Sequence, residues 1–373
     1  MTVRIYKSTD ASAPVLTGQT GKLVDLLDAV LVNGYGALTA AGWTIAYTDT
    51  GKRVYTMAAG GTGFSLDVDD AGPGAGSFRE ARVRGVETPT GIGTGTNYFP
   101  TTGQTAVTNA SLVIRKSATT DATARPWTII ADGHTFYLFV ETGDLTTNFA
   151  VYPFMFGDFF TYSSSDTWNC MIIGRVKENI AYGGSAAYTS NGIWSNKGTN
   201  LAECFCALQN LPLTNAGEYL TDPMQGHFVA RSYTGVGGSV PVGKHSDILA
   251  MGYPQGVGSY TPQMGYHGQG PTSNVGTNLW PGVFPYPNPL DSGLIIAPVF
   301  VHHNGFTRGY MKGFWNPIAD RPLAHDDTYS GTGNLAGKSF LSQMIIGYLT
   351  HAGQTENQII GVQCHVEYSD TWS

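Results

Sequence analysis

The N-terminal part of the chain carries one clear helical pattern. In the stretch TGKLVDLLDAVLVNGYG, apolar residues recur at spacings of three and four, as they do on one face of an α-helix. The residues that form this face are Leu23, Leu26, Leu27, Val30 and Leu31. Val24 and Val32 widen the apolar surface, so we predict an amphipathic helix buried on more than one side, in its own core or against a partner. Thr20 is the predicted N-cap and Gly34 the predicted stop signal.

Alternating apolar and polar positions follow the helix. The segments GFSLDVDD and REARVRGVE both alternate with the period of two that is typical of β-strands. We expect them to pair as a hairpin across the glycine-rich segment AGPGAG. The acidic residues Asp67 and Asp69 of the first strand should then face two arginines of the second strand. Those arginines are Arg82 and Arg84.

The middle of the chain contains the clearest hairpin signal. In WTIIADGHTFYLFV, Asp132-Gly133 is a pair that favours a two-residue turn between strands. The predicted arms, Trp127–Ala131 and His134–Val140, are apolar at nearly every position, so both faces should be covered. Further apolar segments occur at NFAVYPFMFGDFFTY, WNCMIIGRV, SFLSQMIIGYL and NQIIGVQCHVEYSD. We therefore predict a mainly β chain with an antiparallel β-sandwich or barrel-like core and long irregular loops.

A long stretch between these strands has no clear periodicity. From about Gly183 to Leu290 it is dominated by Gly, Asn, Pro, Ser and Tyr. Its aromatic residues argue against plain disorder, so we interpret it as loops or arms that pack on a partner. The aromatic residues proposed for these contacts are Tyr253, Tyr260, Tyr266, Trp280, Phe284 and Tyr286.

Taken along the chain, the patterns predict two parts. Residues 1–100 form a module of one helix and a small antiparallel sheet. Residues 101–373 form a β-sandwich-like domain with a loop-rich insertion at about 183–300. The core should come mainly from residues 100–180 and 304–373.

Composition narrows the possible partners. Charged residues make up only 13% of the chain, against about 25% in an average soluble protein. The net charge of −7 provides no basic excess for nucleic acid, and we expect no membrane span and no signal peptide. A surface of Gly, Ser, Thr, Asn and Tyr is typical of extracellular β-proteins and of subunits covered by neighbours. We expect a homo-oligomer.

The stretch SGTGNLAGKSF, residues 330–340, is superficially similar to a phosphate-binding loop. That motif requires a glycine, four residues and then Gly-Lys-Ser/Thr, but Thr332 occupies the position of the first glycine. The preceding segment is polar and contains proline, whereas a phosphate loop follows a buried parallel strand. We predict a glycine-rich turn ahead of a strand, and no nucleotide or other cofactor.

Candidate metal ligands occur in short runs. Residues 325–327 (HDD) and 302–303 (HH) are adjacent in sequence, so on a strand their side chains point to opposite faces. Asp67, Asp69 and Asp70 offer carboxylates for calcium, but without a complete calcium-loop motif. The cysteines lack zinc-site spacing, and we interpret them as buried thiols. They are Cys170, Cys204, Cys206 and Cys364. We predict no metal site.

Glycan chemistry is the remaining alternative. Glycosidases use two carboxylates, and Asp320, Asp326 and Asp327 lie near Trp315 in the sequence. The sequence does not place them in one cleft, and no G-x-S-x-G elbow indicates a serine nucleophile. We predict that the chain is not an enzyme, while non-catalytic contact with a host surface glycan through Tyr and Trp rings stays open.

Three parts of the chain together resemble a known family. They are APVLTGQTGKLVDLLDAVLVNGYG with GWTIAY, ATARPWTIIADGHTFYLFV with FMFGDFFTYSSSDTWNCMIIGR, and TRGYMKGFWNPIADRPLAHDDTYSGTGNLAGKSFL with EYSDTWS. In this order they are similar to virion structural proteins of tailed bacteriophages and prophages. The resemblance covers both ends and the middle of the chain, but not the aromatic-rich stretch between them.

The resemblance implies a virion protein that acts by subunit assembly. It carries no catalytic motif, and it implies other virion proteins as partners and assembly in the cytoplasm of the host bacterium. A tail or baseplate position is the first expectation. A capsid-decorating protein and a glycan-binding or glycan-cleaving receptor-contact protein of the tail are the alternatives.

Overall fold

The computed structural model describes residues 2–72, 79–101, 111–143, 151–174, 227–231, 235, 287, 292–303, 306–317, 323–349 and 358–372. Within these ranges the chain is mainly β, and its strands form three antiparallel sheets. This confirms the predicted fold class, and the arrangement fits a β-sandwich.

The strands are short to medium in length and are numbered in chain order. Those of the N-terminal half are β1 Arg4–Lys7, β2 Thr44–Asp49, β3 Lys52–Thr56, β4 Ser65–Asp69, β5 Glu80–Gly91, β6 Thr94–Phe99, β7 Leu112–Arg115, β8 Trp127–Ala131 and β9 Thr135–Glu141. Those that follow are β10 Val151–Asp158, β11 Phe160–Thr161, β12 Cys170–Ile173, β13 His227–Val229, β14 Ile296–His303, β15 Phe306–Pro317, β16 Thr328–Ser330, β17 Ser339–Leu349 and β18 Gln358–Glu367.

The three sheets share one hydrophobic core. The first sheet has the order β2-β3-β4-β5-β6, with β7 also paired to β5. The second has the order β1-β8-β9-β10-β12-β13, and the third the order β11-β15-β18-β17-β16, with β14 paired to β15. Strand β10 contacts β7 of the first sheet and β17 of the third. The core runs from Val3 to Trp372, so it also draws on the N-terminal hundred residues.

The hairpin predicted from the alternating segments is present. Strands β4 and β5 pair with Asp67 opposite Arg84 and Asp69 opposite Arg82. Asp67 and Arg84 form an ion pair of 3.2 Å, while Asp69 forms its ion pair with Lys52 of β3, at 3.0 Å.

The β8–β9 hairpin is also confirmed, but its turn lies one residue further along. The Asp132 N–H donates to the Thr135 carbonyl at 2.9 Å, so Gly133 and His134 are the two turn residues. Oδ1 of Asp132 accepts from the backbone N–H groups of His134 and Thr135, at 2.7 and 2.8 Å. The aspartate side chain thus supplies the turn's hydrogen bonds, as in other Asx turns.

The N-terminal helix starts and continues differently from the prediction. An α-helix, α1, spans Lys22–Leu27 and continues as π-helical turns over Asp28–Asn33. The predicted N-cap Thr20 is wrong, because the capping position is Gly21 and no side chain caps from there. The predicted stop at Gly34 is confirmed.

Helix α1 is tied to the first sheet by a carboxylate from outside the helix. Asp70, just after β4, accepts the Leu23 N–H at 2.8 Å. The five apolar residues of the predicted face are 0% exposed, so their burial is accounted for by this chain alone. They are Leu23, Leu26, Leu27, Val30 and Leu31. No helix in the described ranges is long and apolar enough to cross a membrane.

Two observations bear on the predicted organisation. The boundary at residue 100 is crossed by two pairings, because β1 pairs with β8 and β7 pairs with β5. The stretch of about 183–300, predicted to be loop-rich, contains β13 and most of β14. Strand β13 has only three residues, which is too short for periodicity to reveal.

Candidate functional site

A polar cleft lies where the three sheets meet. The β3–β4 loop brings Thr62 from the first sheet, and β10 brings Asp158 from the second. Lys312 on β15 and Thr161 on β11 come from the third sheet. The cleft has a volume of about 390 Å³, which lies at the small end of the range for small-molecule sites.

Asp158 is the buried carboxylate of the cleft and is 3% exposed. Its oxygens accept hydrogen bonds from the Thr62 N–H at 2.9 Å and from the Thr62 hydroxyl at 2.7 Å. A Cβ on the neighbouring Gly61 would lie 2.6 Å from Asp158 Oδ2, so the loop requires glycine there. Burial raises the pKa of the Asp158 carboxyl, although the Thr62 hydrogen bonds and the Lys312 charge oppose this.

Lys312 is the buried cation of the cleft and is 8% exposed. Its Nζ lies 5.5 Å from the centroid of the Phe160 ring, and its charge acts on Asp158. In the described part of the chain, the ammonium group makes no hydrogen bond or ion pair. Lys312 lines the cleft, so its three N–H groups are available to a ligand there.

A second carboxylate at the cleft is fully compensated. Asp166 accepts two hydrogen bonds from the Arg308 guanidinium, at 2.6 and 2.7 Å, and one from the Thr161 hydroxyl at 3.1 Å. Burial alone raises the pKa of the Asp166 carboxyl, but the hydrogen bonds and charge of Arg308 outweigh it, so the pKa lies below its ordinary value. This pair fixes the loop after β11 against β15.

An aromatic row continues from the cleft to the surface. Phe160 lines the cleft, and its ring centroid lies 5.1 Å from that of Tyr310. The Tyr310 ring lies 5.9 Å from that of Tyr162, which is 61% exposed. The row therefore joins a polar cleft to an exposed aromatic surface.

The predicted HDD run lies elsewhere and builds a turn. Asp326 forms an ion pair with Lys7 at 2.6 Å and accepts from the Gln343 amide at 3.1 Å. Asp327 accepts from the Ala324 N–H at 2.9 Å. Asp326 thus joins the turn to β1 and β17, whereas Asp327 closes the turn itself. The neighbouring cavity, of about 80 Å³, is lined by Lys7 and Asp326 among others.

His325 is likewise held by the protein. Its Nδ1 accepts from the Met344 N–H at 3.1 Å, and its Nε2 lies 3.4 Å from Glu141 Oε1. No group of three or more possible metal ligands occurs among the described residues. The side chains of His302 and His303 and the residue Asp320 lie outside the described part of the structure.

The three aspartates considered for calcium each have a different cationic partner. Asp67 pairs with Arg84, Asp69 with Lys52, and Asp70 with Lys116. Their carboxylates therefore do not converge on one point. The sequence showed adjacency, but the strand alternation and the turn after β4 separate the side chains.

The glycine-rich stretch at 330–340 connects β16 to β17, as predicted. The Gly331 N–H donates to the Lys338 carbonyl at 2.8 Å, and a 3₁₀ turn spans Gly333–Leu335. Lys338 forms an ion pair of 2.9 Å with Glu367 and donates to the Thr371 carbonyl at 2.8 Å. Its ammonium joins this turn to the end of β18 instead of facing an open loop.

Several predicted residues lie outside the described ranges. They are Tyr253, Tyr260, Tyr266, Trp280, Phe284, Tyr286, Cys204 and Cys206. Cys170 and Cys364 are buried free thiols, as predicted, and burial raises the pKa of Cys170 well above its ordinary value.

Sequence reasoning missed the cleft. The available signal was a charge inside an apolar strand: Asp158 ends VYPFMFGD and Lys312 interrupts YMKGFW. Such residues are rarely buried without a partner or a role. A scan against protein-family models found no matching family, and a search of curated proteins found no match either.

Proposed function

We propose that this chain is a structural component of a tailed-phage virion, located in the tail or baseplate, that acts by assembling with copies of itself and with other virion proteins. The observation that supports this best is the low charge of the chain, in which only 13% of residues are charged and in whose described part three ion pairs are buried. Low charge at the centre of a contact is what subunit interfaces favour.

Three ion pairs illustrate this use of charge. Arg115 and Glu80 are 1% and 0% exposed and lie 2.9 Å apart. Lys116 and Asp70 are buried to the same extent, and Arg308 and Asp166 are nearly so. The chain has only 20 basic and 27 acidic residues, so each internal pair reduces the charge left for the surface.

An exposed sheet edge also supports assembly. Strand β2 ends the order of the first sheet and pairs with β3 alone among the described strands. Most of its residues are exposed, and Tyr47 is 37% exposed. An edge strand presents backbone N–H and C=O groups that can pair with a strand of another subunit.

The test is to find the chain in particles and count it. Virions of a phage that encodes it are purified, separated into tail and capsid fractions, and quantified by mass spectrometry. We expect the chain in the tail fraction at a few to dozens of copies. Hundreds of copies on the capsid would favour the decorating alternative, and absence from purified particles would overturn the proposal.

A further inference from the structure

We propose that the cleft between the three sheets binds a neutral carbohydrate of one or two rings. This goes beyond the proposed structural role, because it assigns a ligand to a site formed within one chain. Its basis is a cleft of about 390 Å³ that is lined by Lys312, by the buried carboxylate of Asp158 and by the first ring of the aromatic row.

The charges of the cleft select against ions. The Lys312 charge acts on Asp158 without an ion-pair contact, and Asp166 forms an ion pair with Arg308. An anion attracted by Lys312 would approach Asp158, and a cation would approach Lys312. A neutral ligand avoids both costs.

The hydrogen-bonding groups match hydroxyls. Lys312 donates, the Asp158 carboxyl offers acceptor oxygens, and Asn169 carries both a donor and an acceptor. A sugar hydroxyl both donates and accepts, so neighbouring hydroxyls on one ring can serve the ammonium and the carboxylate together. Lys312 makes no hydrogen bond within the described part of the chain, so its ammonium donors in the cleft can serve a ligand.

The aromatic row matches the other side of a sugar. Phe160 lines the cleft, and the row continues through Tyr310 to Tyr162. Aromatic rings provide flat apolar surface, and tyrosine adds a polar edge that tolerates water. A ring with C–H groups on one face and hydroxyls at its edge fits this combination. A second ring would lie over Tyr162.

The experiment is a calorimetric titration of the full-length chain with single sugars. The probes are glucose, galactose, mannose, N-acetylglucosamine, N-acetylgalactosamine, lactose, maltose and cellobiose, with N-acetylneuraminic acid and inorganic phosphate as anionic comparisons. We expect saturable binding of at least one neutral sugar. Lys312→Met should weaken it by about tenfold or more, as expected for losing a charged hydrogen bond.

Matched controls separate the cleft from general effects. Lys52→Met removes a lysine from the first sheet, and Tyr47→Ala removes an exposed tyrosine outside the cleft; both should leave affinity unchanged. Tyr162→Ala should weaken disaccharides more than monosaccharides. It also keeps the test valid if Lys312→Met fails to fold, because Tyr162 is 61% exposed.

Three results would overturn the proposal. One is no saturable binding of any neutral sugar in the panel. Another is stronger binding of the anionic probes, and the third is neutral-sugar binding that Lys312→Met and Tyr162→Ala leave undiminished. Incorporation of Tyr162→Ala into virions is measured in parallel, so that loss of sugar binding is distinguished from loss of assembly.

Discussion

Replacing Lys116 with methionine removes one charge from a buried ion pair that joins the helix to the first sheet. The Lys116 ammonium pairs with Asp70 and donates to the Gln19 carbonyl at 2.6 Å. The other oxygen of Asp70 accepts the Leu23 N–H at the start of α1. Both side chains of the pair are at most 1% exposed. Methionine keeps an unbranched apolar side chain close to the length of the lysine stem, so the change chiefly removes the ammonium.

The expected loss of stability is large. Removing one partner of a buried ion pair costs about 3–5 kcal/mol, because the other charge stays buried without compensation. The total free energy of unfolding of a domain is about 5–15 kcal/mol. The double variant Lys116→Met/Asp70→Asn should recover most of the loss, since its asparagine is neutral and can still accept the Leu23 N–H.

The pH dependence of the stability loss tests whether the unpaired Asp70 charge causes it. Burial already raises the pKa of Asp70 to about 6, and loss of the Lys116 charge should raise it further. A carboxyl whose folded pKa exceeds its unfolded value stabilises the fold in acid, and this contribution is lost as the pH rises. The stability difference between Lys116→Met and the wild type should therefore be smaller at pH 5 than at pH 8.

The assay is urea unfolding of the full chain, followed by tryptophan fluorescence and far-UV circular dichroism at both pH values. Lys22→Met is the matched control, because its ion pair with Asp25 is solvent-exposed and should contribute less than about 1 kcal/mol. The reasoning is refuted if Lys116→Met stays within about 1 kcal/mol of the wild type. A stability difference that does not narrow at pH 5 would also refute it.

Three further changes test other parts of the fold. Leu27→Asp places a carboxylate in the core and should abolish soluble folding or assembly, since even Leu→Ala costs about 2–5 kcal/mol; Leu27→Met is the control, and normal assembly of the aspartate variant would contradict this. Burial lowers the pKa of His365 to about 3, and Tyr329 and Gln363 hydrogen-bond its neutral ring. The free energy of unfolding should therefore decrease as the pH drops below about 6.5, by up to about 1.4 kcal/mol per pH unit. In urea titrations, His365→Gln should flatten this slope; an unchanged slope would show that His365 is not its cause. Gly61→Ala should cost about 1–3 kcal/mol by pressing Cβ against Asp158 and His134, which thermal unfolding would reveal; an unchanged melting temperature would show that the loop relaxes freely.

Sequence pattern succeeds in this protein where the determinants are local. The helical face around Leu27 follows from spacing over two turns, and the β8–β9 hairpin follows from two apolar segments around Asp132. The capping of α1 could not be predicted in this way. Its acceptor, Asp70, lies 47 positions from Leu23, so Thr20 was the better local candidate and the wrong one.

The cleft could not be predicted from the sequence pattern for a similar reason. Thr62, Asp158 and Lys312 come from three sheets, and no motif links segments so far apart. What the structure adds is a contrast between buried cations. Arg115, Lys116 and Arg308 each have a carboxylate at ion-pair distance, whereas Lys312 has none in the described part of the chain. The Lys312 side chain lines the cleft, so its ammonium meets the cleft and not a protein carboxylate. A ligand that supplies its acceptors gives a physical reason for the lysine.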